Sequence, residues 1–249
     1  MKKFELTSET KINIFGKKLF RIKALISFGN VEAGETGGWV EKEENVNQSG
    51  DAWVFGNAEV FGNARVFDNA RVFDNAWAFG NARVSGNARV SGNARVFDNA
   101  RVFDNAWASG NAWVFGNARV FGNARVFDNA RVSGNAWVSG NAWVFGNARV
   151  FGNAEVFGNA EVFDNAWVSG NAWVSGNADY ATIHGFGTQF RTTTFFRCKD
   201  KQVKVSCGCF YGTIPEFREQ VKNTRKGKIA EEYLMIADLM EKHFAEEAK

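Results

Sequence analysis

The chain has 249 residues with 45% apolar content, and its 26 Gly, 25 Phe and 9 Trp stand against a single Pro. Average usage would supply about a dozen prolines at this length, so a loop-rich irregular fold is excluded, and no run of about 18 apolar residues exists to cross a membrane. A net charge of +3 is too small to argue by itself for a polyanion partner.

Residues 1–44 read as an N-terminal β cap. Residues 1–7 carry Lys with no apolar stretch behind it, so no secretory leader is expected. Residues 11–15, a turn at 16–18 and residues 19–25 predict a hairpin. Gly34, Gly37 and Gly38 then lead to Trp39-Val40, which starts a first irregular coil.

Self-similarity fills the middle of the chain. Residues 51–176 form 21 consecutive hexapeptides without insertion or deletion, of consensus Asn-Ala-x-Val-(Phe/Ser)-(Gly/Asp), where x is Arg, Trp or Glu. Degenerate copies at 45–50 and 177–182 flank them, which bounds the repeat region at 45–182. Six residues suit a short strand plus a turn. Within Ala-x-Val the side chains alternate, so the invariantly small or apolar pair faces inward and x faces out. The Gly/Asp-Asn pair tolerates left-handed or turn backbone and closes a corner every six residues.

This pattern resembles the hexapeptide-repeat, left-handed parallel β-helix proteins over about half the chain. The resemblance implies three corners per 18-residue coil and a left hand, against the usual crossover preference; periodicity alone shows only stacked strands. Seven regular coils follow, with a length of roughly 34 Å at ~4.8 Å per coil. Residues 18 apart then share a column. One face carries Trp53, Arg71, Arg89, Trp107, Arg125, Trp143 and Glu161. A second carries Glu59, Trp77, Arg95, Trp113, Arg131, Arg149 and Trp167. A third carries Arg65, Arg83, Arg101, Arg119, Trp137, Glu155 and Trp173. The repeat-initial Asn side chains predict corner ladders along the axis.

Residues 183–249 read as a small α+β domain. Residues 191–197 and 202–206 predict two strands. Thr213-Ile214-Pro215-Glu216 has helix-start chemistry, with a capping Thr, Pro in the first turn and Glu three residues on. A longer helix is predicted from 229 to about 248, with Ile229, Tyr233, Ile236, Leu239 and Met240 near helical spacing. Residues 28–40 and the Cys207–Ile214 stretch resemble the leader and tail of a group of bacterial and prophage hexapeptide proteins. That resemblance implies a phage or prophage setting and a cytoplasmic protein, and brings no activity with it.

Acyl transfer, the chemistry of many hexapeptide proteins, needs a general base, usually His, in a cleft between prisms. The 21 hexapeptides contain no His and no loop excursion. His184 reads as a junction residue and His243 as a solvated helical one, so acyltransferase is kept only as an alternative. Cys198, Cys207 and Cys209 form no even disulfide framework, which favours a reducing cytoplasm. They also lack the paired Cys-x2-4-Cys halves of a zinc site. No metal or cofactor is expected. Nucleic acid is the other alternative, through Arg and Trp faces that could track a single strand. Against it, residues 51–176 carry ten Arg against three Glu and seven Asp, whereas phosphate binding needs a concentrated positive field. The run Arg65, Arg83, Arg101, Arg119 is a local exception, with Asp68 and Asp104 at its edge.

Eight repeat Trp are expected to point outward, and 14 Phe follow Val near a corner, with Ser in the other seven repeats. Ladder packing explains part of this surface; patches of this size also mark interfaces. The candidate binding residues are therefore Trp107, Trp113, Trp137, Trp143, Trp167, Trp173, Arg83, Arg101 and Arg119, since Trp and Arg dominate interface hot spots. The sequence reads as a non-enzymatic binding or scaffold protein. A homo-oligomer, a trimer by resemblance, would bind a host or phage protein, with interference in a host defence as one outcome.

Overall fold

The computed structural model describes residues 1–245. It is mainly β: stacked parallel coils form a β-solenoid of about eight turns, closed at one end by an N-terminal hairpin and at the other by a small sheet-and-helix unit. The two-residue strands β4 to β24 recur every six residues from Trp53–Val54 to Trp173–Val174 and sort into three parallel sheets. Registers run in steps of 18, as in Arg71↔Arg89↔Trp107. The three columns read from the sequence are therefore the three faces.

Each repeat short of the last coil sends backbone N–H groups, three in most repeats, to the coil ahead. Arg95 donates to Ala112 O (2.9 Å), Phe97 to Val114 O (3.0 Å) and Asn99 to Gly116 O (2.9 Å). A short turn bond, Ala100 N–H to Phe97 O at 3.2 Å, closes the corner. Little backbone is left unpaired, which is what a buried coil requires. The repeat Ala and Val side chains are completely buried and form one continuous core.

The corners add two side-chain ladders. Asn side chains hydrogen-bond along the axis, for example Asn63 to Asn81 to Asn99 to Asn117 at 3.1–3.2 Å. The Gly/Asp position has φ near +60°, including 58° at Asp104 and 63° at Gly86. No Asp stands directly after another Asp in a column. The Asp68 carboxylate accepts from Gly86 N–H (3.0 Å) and that of Asp104 from Gly122 N–H (3.2 Å). A Cβ on Gly86 would come within 2.8 Å of the Asp104 backbone nitrogen, so glycine at this position keeps the corner close-packed.

At the N-terminal end, β1 (Phe4–Ile12) and β2 (Lys18–Ala24) form the hairpin, and β3 (Thr36–Val40) joins it to the second face through Trp39↔Glu59. The first strand lies earlier than the expected residues 11–15, because Asn13 folds into the turn and accepts from Phe15 and Lys17 N–H. The hairpin also folds back over the first coils. Phe4 and Phe28 meet Trp53 edge-on at 5.8 and 5.3 Å, and Trp53 is wholly buried, not outward-exposed as expected. Lys3 Nζ donates to Gly50 O and Ala52 O, and burial lowers its pKa to about 8.

At the other end, β25 (Tyr180–Phe186), β26 (Arg191–Arg197), β27 (Val203–Cys207) and β28 (Phe210–Thr213) make an antiparallel meander. The first of these strands runs straight through residues 182 and 183. Alternation in β26 splits neighbours between two cores. Phe196 packs on the solenoid, while Phe195 packs on α1 (Ile214–Thr224) and α2 (Gly227–Phe244). Trp167 N–H donates to Thr194 Oγ1 (3.0 Å) and Lys199 N–H to Asn171 O (3.3 Å), so this sheet covers the last coil and blunts its open edge. Thr213 and Glu216 form the expected capping box. α2 ends at Phe244, short of the expected 248, and residues 246–248 lie outside the described residues. Leu239 is 57% exposed; Ala237 and Phe244 join Tyr233, Ile236 and Met240 in the core instead.

Candidate functional site

The outward x residues interlock along each face. On the second face, the Arg95 guanidinium lies over Trp77 at 4.6 Å and Trp113 at 5.2 Å, Arg131 over Trp113 at 4.7 Å, and Arg149 over Trp167 at 4.9 Å. On the first, Arg125 lies between Trp107 and Trp143 at 5.6 and 5.2 Å. Each such contact is worth about 0.5–1 kcal/mol at exposed sites. The Phe column beside the second face stacks continuously. Phe61, Phe79, Phe97 and Phe115 are spaced 4.9–5.0 Å with planes within 3°, and Phe15 at the hairpin tip rests on its first two rings. Much of the aromatic surface is thus used within the chain.

The remainder is uneven. Trp107, Trp113 and Trp167 are half-buried, while Trp143, Trp137 and Trp173 are 37%, 38% and 39% exposed. Trp137 and Trp173 share the third face, separated by Glu155, whose carboxylate pairs with Lys199; the same ammonium lies over Trp173 at 4.9 Å. Trp143 stands on the first face beside a groove of about 370 Å³ lined by Trp107, Ser109, Arg125 and Phe127. Ser109 opens that groove because it replaces the ring that stacking would put there. The Trp107 indole N–H is buried and has no hydrogen-bond partner among the described residues.

The candidate arginines form a separate feature. Arg65↔Arg83↔Arg101↔Arg119 are paired in register on the third face. Among the described residues none of the four forms an ion pair, and only Arg119 has an aromatic partner, Trp137 at 5.1 Å. A cleft of about 420 Å³ lined by Arg65, Arg83, Phe67, Glu43 and Glu44 lies at its N-terminal end. The structure therefore brings Arg83, Arg101, Arg119, Trp137 and Trp173 onto one face, and separates them from Trp107 and Trp143 on another and Trp113 and Trp167 on the remaining one.

His184 is exposed on β25 and His243 on α2. Cys207 ends β27, Cys209 lies in the β27–β28 turn, and Cys198 is buried against the last coil, where burial pushes its thiol up to about 11. A cavity of about 100 Å³ in this domain is lined by Arg191, Cys207, Arg225 and Tyr233 among others. Among the described residues no group of three His, Cys, Asp or Glu is placed to hold a metal ion, and no helix is long and apolar enough to cross a membrane.

A family model described as the YdcK beta solenoid repeat matches residues 79–92, 82–96, 94–110 and 124–140. All four windows lie inside the regular coils, and the likeness is one of solenoid repeat. No curated protein matches the chain.

Proposed function

We propose that the protein is a non-enzymatic binding scaffold, a rigid β-solenoid that assembles as a trimer and holds a host or phage protein. The observation that carries this reading is the exposure of Trp137, Trp143 and Trp173 on a surface whose neighbours are locked in ladders. A preorganised surface loses little side-chain freedom on association, so exposed Trp and Arg convert contact into affinity efficiently. Caps at both ends direct association to the faces, since the terminal coils do not offer free strand edges. The likeness of residues 28–40 and of the Cys207–Ile214 stretch to prophage proteins supports a phage setting in the host cytoplasm. Occlusion of a host defence protein is the role this setting suggests.

The test is native mass spectrometry of the full chain purified from its bacterial host, wild type against Trp137→Ser/Trp143→Ser/Trp173→Ser. A trimer or a retained protein in the wild type, lost in the variant at unchanged circular dichroism, is the expected result. A wild-type monomer carrying no other protein overturns the reading, as does a variant that keeps the whole assembly.

A further inference from the structure

We infer that the Arg65, Arg83, Arg101, Arg119 row is a docking surface for an acidic, helical segment of a protein partner. This rests on the scaffold reading and gives it a partner chemistry.

Like charges directly opposite one another on neighbouring strands destabilise a sheet. Elsewhere the solenoid avoids long runs of them. The second face alternates Trp77, Arg95, Trp113 and Arg131 before one adjacent pair, Arg131 and Arg149, and each guanidinium still finds an indole. The first face has one adjacent pair, Arg71 and Arg89, before Trp107 intervenes. Only the third face sets four arginines in unbroken register.

The acids nearby are otherwise engaged. Asp68 and Asp104 give their carboxylates to the Gly86 and Gly122 amides. Glu43 is held by Lys2 at 2.7 Å and by Gln48 at 2.8 Å. Glu44 lines the cleft with Arg65 and Arg83 but reaches neither within ion-pair distance. The row is a stripe of four guanidinium groups without ion pairs among the described residues, about 14 Å long at ~4.8 Å per coil, with Asp68, Asp98 and Asp104 along its edges.

Its spacing and neighbours describe the occupant. At about 1.5 Å rise per helical residue, acidic side chains three or four residues apart lie about 4.5–6.0 Å apart along the axis, so they meet successive arginines, and long Arg side chains absorb the mismatch. Beyond Arg119 the same face offers exposed Trp137, which fits an apolar residue following the acidic ones. Four charges on a prism with no net charge form too small a field for nucleic acid, whose affinity grows with the number of phosphates neutralised.

The test is fluorescence anisotropy of the full chain with a labelled peptide of repeated Glu-Ala-Ala-Ala units, run beside a labelled oligothymidylate and with native mass recorded on each preparation. Arg83→Glu/Arg101→Glu is expected to weaken peptide binding by about tenfold or more, while Arg71→Glu/Arg89→Glu, with the same charge change, alters it less than about twofold. No peptide binding, equal losses in both variants, or preference for the oligonucleotide through the same row overturns the inference. An oligomer that ignores the peptide refutes the row alone and leaves the scaffold reading intact.

Discussion

Phe97 and Phe73 occupy the same position of the repeat, where Ser stands in seven other copies. By consensus, Phe→Ser is an equally natural change at both. The structure separates them. Both rings are half-buried, but Phe97 stacks on Phe79 at 4.9 Å and on Phe115 at 5.0 Å, and meets Trp113 edge-on at 6.0 Å. Phe73 lies between Phe55 and Ser91 in its column and has no ring partner among the described residues. The burial lost is similar in the two variants, so the difference is the aromatic contacts, each worth about 0.5–1.5 kcal/mol beyond area. Three such contacts give Phe97→Ser an excess cost of about 3 kcal/mol over Phe73→Ser. A solenoid is stabilised by nearest-neighbour coil interfaces, so the loss is read locally, by native-state hydrogen exchange at the amides of the substituted coil and its two neighbours. A difference below about 0.5 kcal/mol between the variants would refute the claim that stacking, and not burial, makes these rings matter.

Arg95→Ala removes a guanidinium from between two indoles and is expected to cost about 1–2 kcal/mol in denaturant unfolding. Arg101→Ala removes a like charge from between Arg83 and Arg119 and is expected to be neutral or slightly stabilising; a cost equal to that of Arg95→Ala would show that the row is internally compensated. Burial, seconded by the Asp200 carboxylate, pushes the Cys198 thiol from 9.0 up to about 11. The unfolded chain therefore releases this proton first, so the thiol's contribution to stability is complete below pH 9 and lost as pH rises to about 11. Lys3 acts in the opposite sense, since burial lowers it from 10.5 to about 8 and the unfolded chain keeps the proton longer, so the N-terminal cap gains stability between those values. Urea unfolding of wild type and Cys198→Ala from pH 8 to 11 should show a flatter alkaline decline in the variant, and an identical decline would remove Cys198 as its cause.

The coil itself was legible residue by residue. Ala and Val at fixed spacing announced the interior, and the 18-residue columns placed Arg71 against Arg89 and Trp107. Less visible was the rule that Gly follows Asp in a corner column, although the spacing contains it. That rule comes from a hydrogen bond between residues 18 apart, in which the Asp68 carboxylate accepts from the Gly86 amide. At the ends, Thr213 and Glu216 marked the helix start because capping is a local matter. The exposure of Leu239 was not readable from spacing, since it depends on how the sheet presents Phe195 and Val205 to the helices.

The candidate surface divides the same way. The sequence by itself determined which side chains leave the prism and which share a face, because a six-residue step repeated without slippage makes every outward direction a local property. Only the tertiary structure decided which of them remain available. Trp53 and Glu59 sit in outward positions and are buried, because the N-terminal hairpin folds back across residues more than 40 positions away. Trp77 and Trp113 are occupied by Arg95, whereas Arg83 and Arg101 have no ion-pair or aromatic partner among the described residues. Direction is set by the backbone within one repeat. Availability is set by what lies one coil away or returns from the caps, and those contacts exist only once the coils have stacked.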